Sequence, residues 1–295
     1  MTTQTLDLER LDPWLRQHIP DFDGPLTAEK FAGGQSNPTF KLTAGDQRYV
    51  LRRKPPGQLL ASAHAVDREY RVIKALADTD VPVPRAIALC DDDSVIGSMF
   101  YIMECLEGRV FWDPALPEVS THERTAMYDE MNRVLAAMHS VNLDEVGLSD
   151  YGKPGNYFER QIGRWTKQYR ASETETQPAM ERMIDWLPAH LPTDDGRTSL
   201  VHGDYRLDNV MFHPTEPRII GVLDWELSTL GNPIADLAYQ VMAWQLPREG
   251  GINGMMGVDR APLGIPSDAQ YIARYCEHTG RDGIAHWPFY MVFCF

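Results

Sequence analysis

Apolar positions along the chain fall into a strand-rich first third and a helix-rich remainder. Short segments at 39–42 and 48–52 flank Gly45-Asp46, a two-residue turn of the kind that joins hairpin strands. From 65 to 77 the spacing changes. Val66, Tyr70, Ile73 and Leu76 recur at helical intervals and predict one apolar stripe. Val81-Pro82-Val83-Pro84 ends that helix, and two more strands are expected at 86–90 and 99–105, separated by the acidic turn Asp91-Asp92-Asp93.

Beyond Glu107-Gly108 helical periodicity dominates. Residues 121–141 carry Met127, Met131, Val134, Leu135 and Met138 on one face, and 157–170 and 179–187 read as further helices. Short strands return at 198–202, 210–213 and 219–223, followed by helices at 233–244 and 268–278. The closing apolar run, 289–295, reads as the start or middle of a buried helix. The expected architecture is α+β with two lobes. A small strand-rich lobe spans 1–104, a hinge 105–108, and a larger helical lobe 109–295.

Composition narrows the function classes. The chain has 295 residues, 43% of them apolar and 24% charged, which is enough for real hydrophobic cores. Its net charge of −14 argues against a nucleic-acid partner, which would need a concentrated basic face. Cys90, Cys105, Cys276 and Cys294 are widely spaced and form no C-x-x-C pair, so reduced thiols in a cytoplasm are expected rather than disulfides or a zinc site. No apolar run reaches the ~20 residues needed to span a bilayer, and residues 1–17 lack the apolar segment of a secretion signal.

The strongest chemical signal is Val201-His202-Gly203-Asp204-Tyr205-Arg206-Leu207-Asp208-Asn209, followed by Val222-Leu223-Asp224-Trp225-Glu226. The form is H-x-D-x4-N, then an apolar strand ending in Asp. Phosphoryl transfer asks a protein mainly for positioning and charge neutralisation. One carboxylate must take or orient the proton of the attacking hydroxyl, which suits Asp204. An amide oxygen and a second carboxylate must hold magnesium, which takes hard oxygen ligands, and Asn209 with Asp224 supply them. The plainer alternative is two unrelated polar loops.

These motifs resemble those of the aminoglycoside phosphotransferase and choline kinase superfamily, whose fold is similar to that of protein kinases. The resemblance runs from about residue 26 to the end of the chain. It implies ATP and Mg2+ as cofactors, Asp204 as catalytic base, Asn209 and Asp224 as magnesium ligands, and His202 as a support for the catalytic loop. Gly33-Gly34-Gln35-Ser36-Asn37 stands where a glycine-rich loop would cradle phosphates, with Gly34, Ser36 and Asn37 the implied contacts. The sequence departs from G-x-G-x-x-G there.

Arg52 occupies the place of the usual phosphate-binding lysine. Strand alternation puts it on the face opposite Arg53, and Glu69 of the following helix is its implied ion-pair partner. Glu104 and Leu106 match a hinge that holds adenine through backbone groups. Asp236 matches an acidic position that braces the catalytic loop, and its first-turn place would also complement the helix dipole. His139 reads as a packed helix-end histidine.

The short interval from Asp224 to Asp236 leaves no room for the activation segment that receives a protein substrate, so a small-molecule hydroxyl acceptor is expected. Residues 49–57 and 62–70 resemble the branch that includes kinase domains fused to acyl-CoA dehydrogenases, which implies a hydroxyacyl-CoA or related acceptor. Arg109, Arg164 and Lys167 are candidates for contacting an anionic acceptor. The competing functions are an aminoglycoside-type antibiotic kinase, a catalytically silent nucleotide-binding regulatory module, and a metal-dependent hydrolase using His202, Asp204 and Asp224.

Overall fold

A computed structural model describes residues 6–31, 37–55, 65–153, 155–194, 196–248 and 253–295. The fold is mixed α+β, with one compact unit built on a small antiparallel sheet and a second that is mainly helical. The first unit runs to Gly108 and also takes in Ile220–Glu226, a stretch that the sequence places in the helical part. The reason is a backbone bond. Val222 N–H donates to Pro82 O at 2.8 Å.

In the first unit, α1 (Leu8–His18) precedes β1 (Leu26–Lys30), β2 (Thr39–Ala44) and β3 (Gln47–Arg53). Helix α2 (Val66–Leu76), β4 (Ala86–Cys90), the short α3 (Asp93–Ile96) and β5 (Phe100–Glu104) follow. The five strands lie in the order β1-β2-β3-β5-β4, every neighbouring pair antiparallel. Ala44 pairs with Gln47, so Gly45-Asp46 is the two-residue turn, and Gly45 takes the positive φ of 56° that such a turn needs.

Strand β2 alternates. Phe40, Leu42 and Ala44 are buried, while Thr39, Lys41 and Thr43 are half-buried. Strand β3 is buried along Tyr49–Arg53 on both faces, so two arginines sit in the interior. One face of the sheet meets α1, whose Leu11 and Leu15 are fully buried with Phe40, Leu42, Leu51 and Phe100. Each of those two leucines contributes roughly 1.5–3 kcal/mol on burial. Asp7 caps α1 by accepting Arg10 N–H at 3.2 Å.

Helix α2 buries Val66, Ile73 and Leu76 of the stripe its spacing predicts, with Glu69 and Val72 added and Tyr70, only half-buried, the one departure. Burial of Glu69 goes with the ion pair that this carboxylate makes in the interior, described below. The acidic stretch 91–93 is a capped start of α3, where Asp92 accepts Ser94 N–H, rather than a bare turn.

The second unit comprises α4 (Thr121–His139), α5 (Tyr157–Ser172), α6 (Pro178–Ala189), β6 (Ser199–Val201), β7 (Val210–Phe212), β9 (Thr229–Gly231), α7 (Ile234–Trp244), α8 (Asp268–Thr279) and α9 (Trp287–Cys294), while β8 (Ile219–Val222) belongs to the first unit from Ile220 onward. Met127, Met131, Val134, Leu135 and Met138 of α4 are buried, as their spacing predicts. Tyr128, Trp244 and Tyr271 stack edge-to-face in that core. The apolar run at the end of the sequence forms most of α9, whose Phe289, Tyr290 and Phe293 pack around Phe158. Strand β9 pairs with β6 and carries the chain into α7. No described helix is long and apolar enough to cross a membrane.

Candidate active site

Two constellations of polar side chains form, one in each unit. In the first, Arg52 leaves β3 on the α2 face, and its Nε lies 2.7 Å from Glu69 Oε2. The contact is between charges, since the N–H is not directed at that oxygen. The Arg52 Nη2 is paired with Asp224, and Glu226 Oε2 is 3.7 Å away. Tyr101, the register partner of Arg52 on β5, donates its hydroxyl to Glu69 Oε2 at 3.1 Å, and Asn37 Nδ2 donates to Glu69 Oε1 at 2.7 Å. Asn37 also reaches Glu226 Oε2 at 3.4 Å. Arg53 points elsewhere, to Ser98 Oγ and Ile96 O, both at 2.9 Å.

Burial pushes the Glu69 carboxyl up to about 7, against the pull of Arg52 and with help from Asp224 and Glu226. Burial alone would lower the Arg52 guanidinium, but Glu69, Tyr101, Asp224 and Glu226 more than offset it and hold it well above its ordinary value. One guanidinium thus faces three carboxylates in the described contacts. Asp224 adopts a positive φ of 63°, a costly backbone state for a residue with a Cβ. Trp225, almost fully buried, fixes that turn by donating Nε1–H to Val222 O at 3.0 Å.

In the second unit, β6 delivers His202, Gly203 and Asp204. Asp236, in the first turn of α7 and 1% exposed, accepts the backbone N–H of His202 at 2.6 Å and of Gly203 at 2.8 Å. His139 Nε2 approaches the same carboxylate at 3.3 Å, and its Nδ1 meets the Tyr275 hydroxyl at 2.8 Å. His139 is therefore a packed residue at a helix end, and also part of the brace. Gly203 has φ of 84°, and a Cβ there would lie 2.9 Å from Leu227 O. His202 Nδ1 accepts Asp204 N–H at 3.2 Å, which makes that nitrogen the unprotonated one.

The Asp204 side chain, 23% exposed, is fixed at both oxygens. Asn209 Nδ2 donates to Oδ2 and to the Asp204 backbone O, each at 2.8 Å. Tyr239 donates its hydroxyl to Oδ1 at 2.7 Å, and Arg206 Nε lies 3.3 Å from the same oxygen while its Nη2 pairs with Asp208 at 2.9 Å. An apolar cleft of about 460 Å³ adjoins Gly203, Asp236 and Tyr239, walled by Trp165, Met180, Met183, Ile184 and Phe293.

Asp204 and Asn209 therefore meet in the second unit, and Asn37, Arg52, Glu69 and Asp224 meet in the first. Gly34 and Ser36 lie outside the described residues. Glu104 N–H is already used by Arg85 O at 2.9 Å, so an adenine contact at Glu104 is restricted to its other backbone group. Leu106 N–H makes no backbone bond among the described residues. Arg109 is not an acceptor contact. It donates to His213 O and Glu216 O and pairs with Glu123, all within 3.1 Å. Arg164 stacks on Trp165 and Lys167 is exposed, and neither lines the cleft. Tyr239, Arg206 and Glu226 carry no predicted role. Only Glu226 had a visible signal, two residues beyond Asp224.

The donor set fits magnesium. Asp224 and Glu226 of the first unit are hard oxygen donors of the kind magnesium takes, and in the second unit Asn209 commits its NH2 to Asp204 and keeps its amide oxygen as an acceptor. No group of three or more His, Cys, Asp or Glu among the described residues forms a ready-made metal cage. Magnesium in phosphoryl transfer takes few protein ligands and completes its shell with phosphates and water.

Comparison with known proteins identifies the family of the chain. The profile of the phosphotransferase enzyme family matches residues 27–287. A Ralstonia eutropha protein carrying the provisional name of an aminoglycoside phosphotransferase is 57% identical, with a TM-score of 0.89 over 98% of this chain and 85% of that one. An aminoglycoside phosphotransferase solved with streptomycin and ATP shares the fold at TM-score 0.60 and 17% identity, over 95% of this chain and 84% of that one. Acyl-CoA dehydrogenase family member 10 of Mus musculus is 50% identical over 92% of this chain. Acyl-CoA dehydrogenase family member 11 of Homo sapiens is 43% identical over 97%. The chain spans only 25% and 37% of the lengths of those two relatives. On the family match and these identities together, the chain belongs to the phosphotransferase enzyme family.

Proposed function

We propose that this protein transfers the γ-phosphoryl group of magnesium-bound ATP to the hydroxyl of a small acceptor with a substantial apolar portion, a hydroxyacyl-CoA or related metabolite. The observation that carries the reading is the Asp204 carboxylate, held by donors at both oxygens beside an apolar cleft. A cleft walled by methionine, isoleucine and aromatic side chains suits an acyl chain better than a polycationic sugar. Two relatives named as acyl-CoA dehydrogenases support the acyl class.

In this reading Asp204 takes the proton of the acceptor hydroxyl as its oxygen bonds to the γ-phosphorus, and the bond from that phosphorus to the β,γ-bridging oxygen breaks. ADP leaves and the phosphate monoester remains. Magnesium supplies charge neutralisation at the phosphates. When bound, it would be held by Asp224, with Asn209 as the second ligand, while Glu69 orients Arg52 and Arg52 would be the phosphate-binding group. Four unpaired cysteines suit a reducing cytoplasm.

One observation favours a second reading. Arg52 is seated on Asp224, a carboxylate that catalysis needs for metal, as a silent nucleotide-binding module would allow. The discriminating experiment measures magnesium-dependent ATP consumption against hydroxyacyl-CoAs, aminoglycosides, choline and sugars, with Asp204→Asn as control. Turnover of a hydroxyacyl-CoA that the variant lacks supports the proposal. Turnover confined to amino sugars contradicts the acceptor class, and tight ATP binding without turnover on the whole panel supports the silent module.

A further inference from the structure

We propose that Tyr239 is a positioning residue for phosphoryl transfer, its hydroxyl fixing Asp204 Oδ1 while its ring forms part of the wall along which the acceptor reaches that carboxylate. The inference rests on the reading of Asp204 as the base. Asp236 and Tyr239 are three residues apart on α7 and so share one helix face. From that face Asp236 holds the backbone of His202 and Gly203, and Tyr239 holds the side chain of the next residue, Asp204.

A carboxylate on a single donor can rotate about its Cβ–Cγ bond. Asp204 is pinned at Oδ2 by Asn209 at 2.8 Å and at Oδ1 by Tyr239 at 2.7 Å, so its plane is set by two donors from different elements. Arg206 lies near the same Oδ1, but its Nε is 3.3 Å away and makes no hydrogen bond. Tyr239 is thus the one described group that donates to that oxygen. The same side chain lines the apolar cleft with Trp165, Met183 and Phe293, so an acceptor lying there would lie against the residue that holds the carboxylate. Burial first, and then the neighbouring Asp204 charge, keep the phenol well above its ordinary pKa, so it stays a donor through the physiological range.

A tyrosine that only packs would predict a silent Tyr239→Phe change, because the ring is kept and only the hydroxyl goes. A positioning hydroxyl predicts a fall in kcat of about 10- to 100-fold for Tyr239→Phe, with KM for the acceptor within about twofold. Tyr239→Leu, which also removes the ring, is expected to raise that KM as well.

The test compares wild type, Tyr239→Phe and Tyr239→Leu with magnesium-ATP in two assays, phosphate transfer to a hydroxyacyl-CoA and phosphate release to water without acceptor. Melting temperatures and a crystal structure of Tyr239→Phe accompany them. Loss of kcat in Tyr239→Phe at unchanged KM and melting temperature supports the proposal. An unchanged kcat, or an effect confined to KM, overturns it. If wild type turns over no hydroxyacyl-CoA, the acceptor class fails by itself, and the water assay still decides on Tyr239. If neither assay yields turnover, the crystal structure decides. More than one Asp204 carboxylate orientation supports positioning, and an unmoved carboxylate overturns it.

Discussion

Asp236 accepts hydrogen bonds from two successive backbone N–H groups, His202 at 2.6 Å and Gly203 at 2.8 Å, while itself 1% exposed. A buried carboxylate is tolerated when charge-assisted donors surround it, and here two of them belong to the loop that presents Asp204. Asp236→Asn would leave one of the two N–H groups facing an NH2. The expected result is a loss of about 2–4 kcal/mol in denaturant unfolding, together with a fall in phosphotransferase activity. Unchanged stability would mean that the loop holds its shape without the brace.

Arg52 is the positive charge that faces Glu69, Asp224 and Glu226 in the described contacts of that cluster. Arg52→Met would leave the buried Glu69 unopposed and is expected to cost about 3–5 kcal/mol. Arg52→Lys keeps the charge but cannot span Glu69 and Asp224 together, so a smaller loss of about 1–2 kcal/mol is expected. Chemical denaturation of the three proteins checks the ranking.

Glu69 makes stability depend on pH. An ordinary glutamate titrates near 4.5, and burial moves this one up to about 7. Between those values the folded chain binds more protons here than the unfolded chain, so this contribution to stability falls as pH rises through that window. The melting temperature of nucleotide-free protein should decline between pH 5 and 7, and Glu69→Gln should flatten that decline. An equal slope in both proteins would place the titration elsewhere.

Asn209 uses its NH2 on Asp204, so under the proposed function its amide oxygen is the atom offered to magnesium. Asn209→Ala removes both at once. The magnesium concentration for half-maximal activity should rise at least tenfold and kcat should fall, measured by titrating magnesium at fixed ATP.

The parts of this site that could be read in the sequence are those where spacing alone carries the information. The interval from Asp204 to Asn209 and the strand before Asp224 single out three candidate groups, and period-two alternation separates Arg52 from Arg53. Other features depend on packing. Helix α1 is concealed by Pro13, yet Asp7, Leu11 and Leu15 mark a capped helix with a buried i, i+4 pair. Tyr70 looks like a core residue of α2 but is only half-buried, while Glu69, charged in the linear pattern, is buried against Arg52. Arg109 looks available for an anion, but carbonyl oxygens of His213 and Glu216 claim it. Tyr239 sits in a helix whose residues are nearly all buried, and nothing in the linear pattern distinguishes a core tyrosine from one that reaches Asp204.

The most direct test of the account is transfer of the γ-phosphate of magnesium-ATP to a hydroxyacyl-CoA, followed for wild type and Asp204→Asn at matched folding. The account predicts a phosphorylated acyl product from wild type and a rate at least about 100-fold lower from the variant. Equal rates from the two proteins would contradict the role given to Asp204.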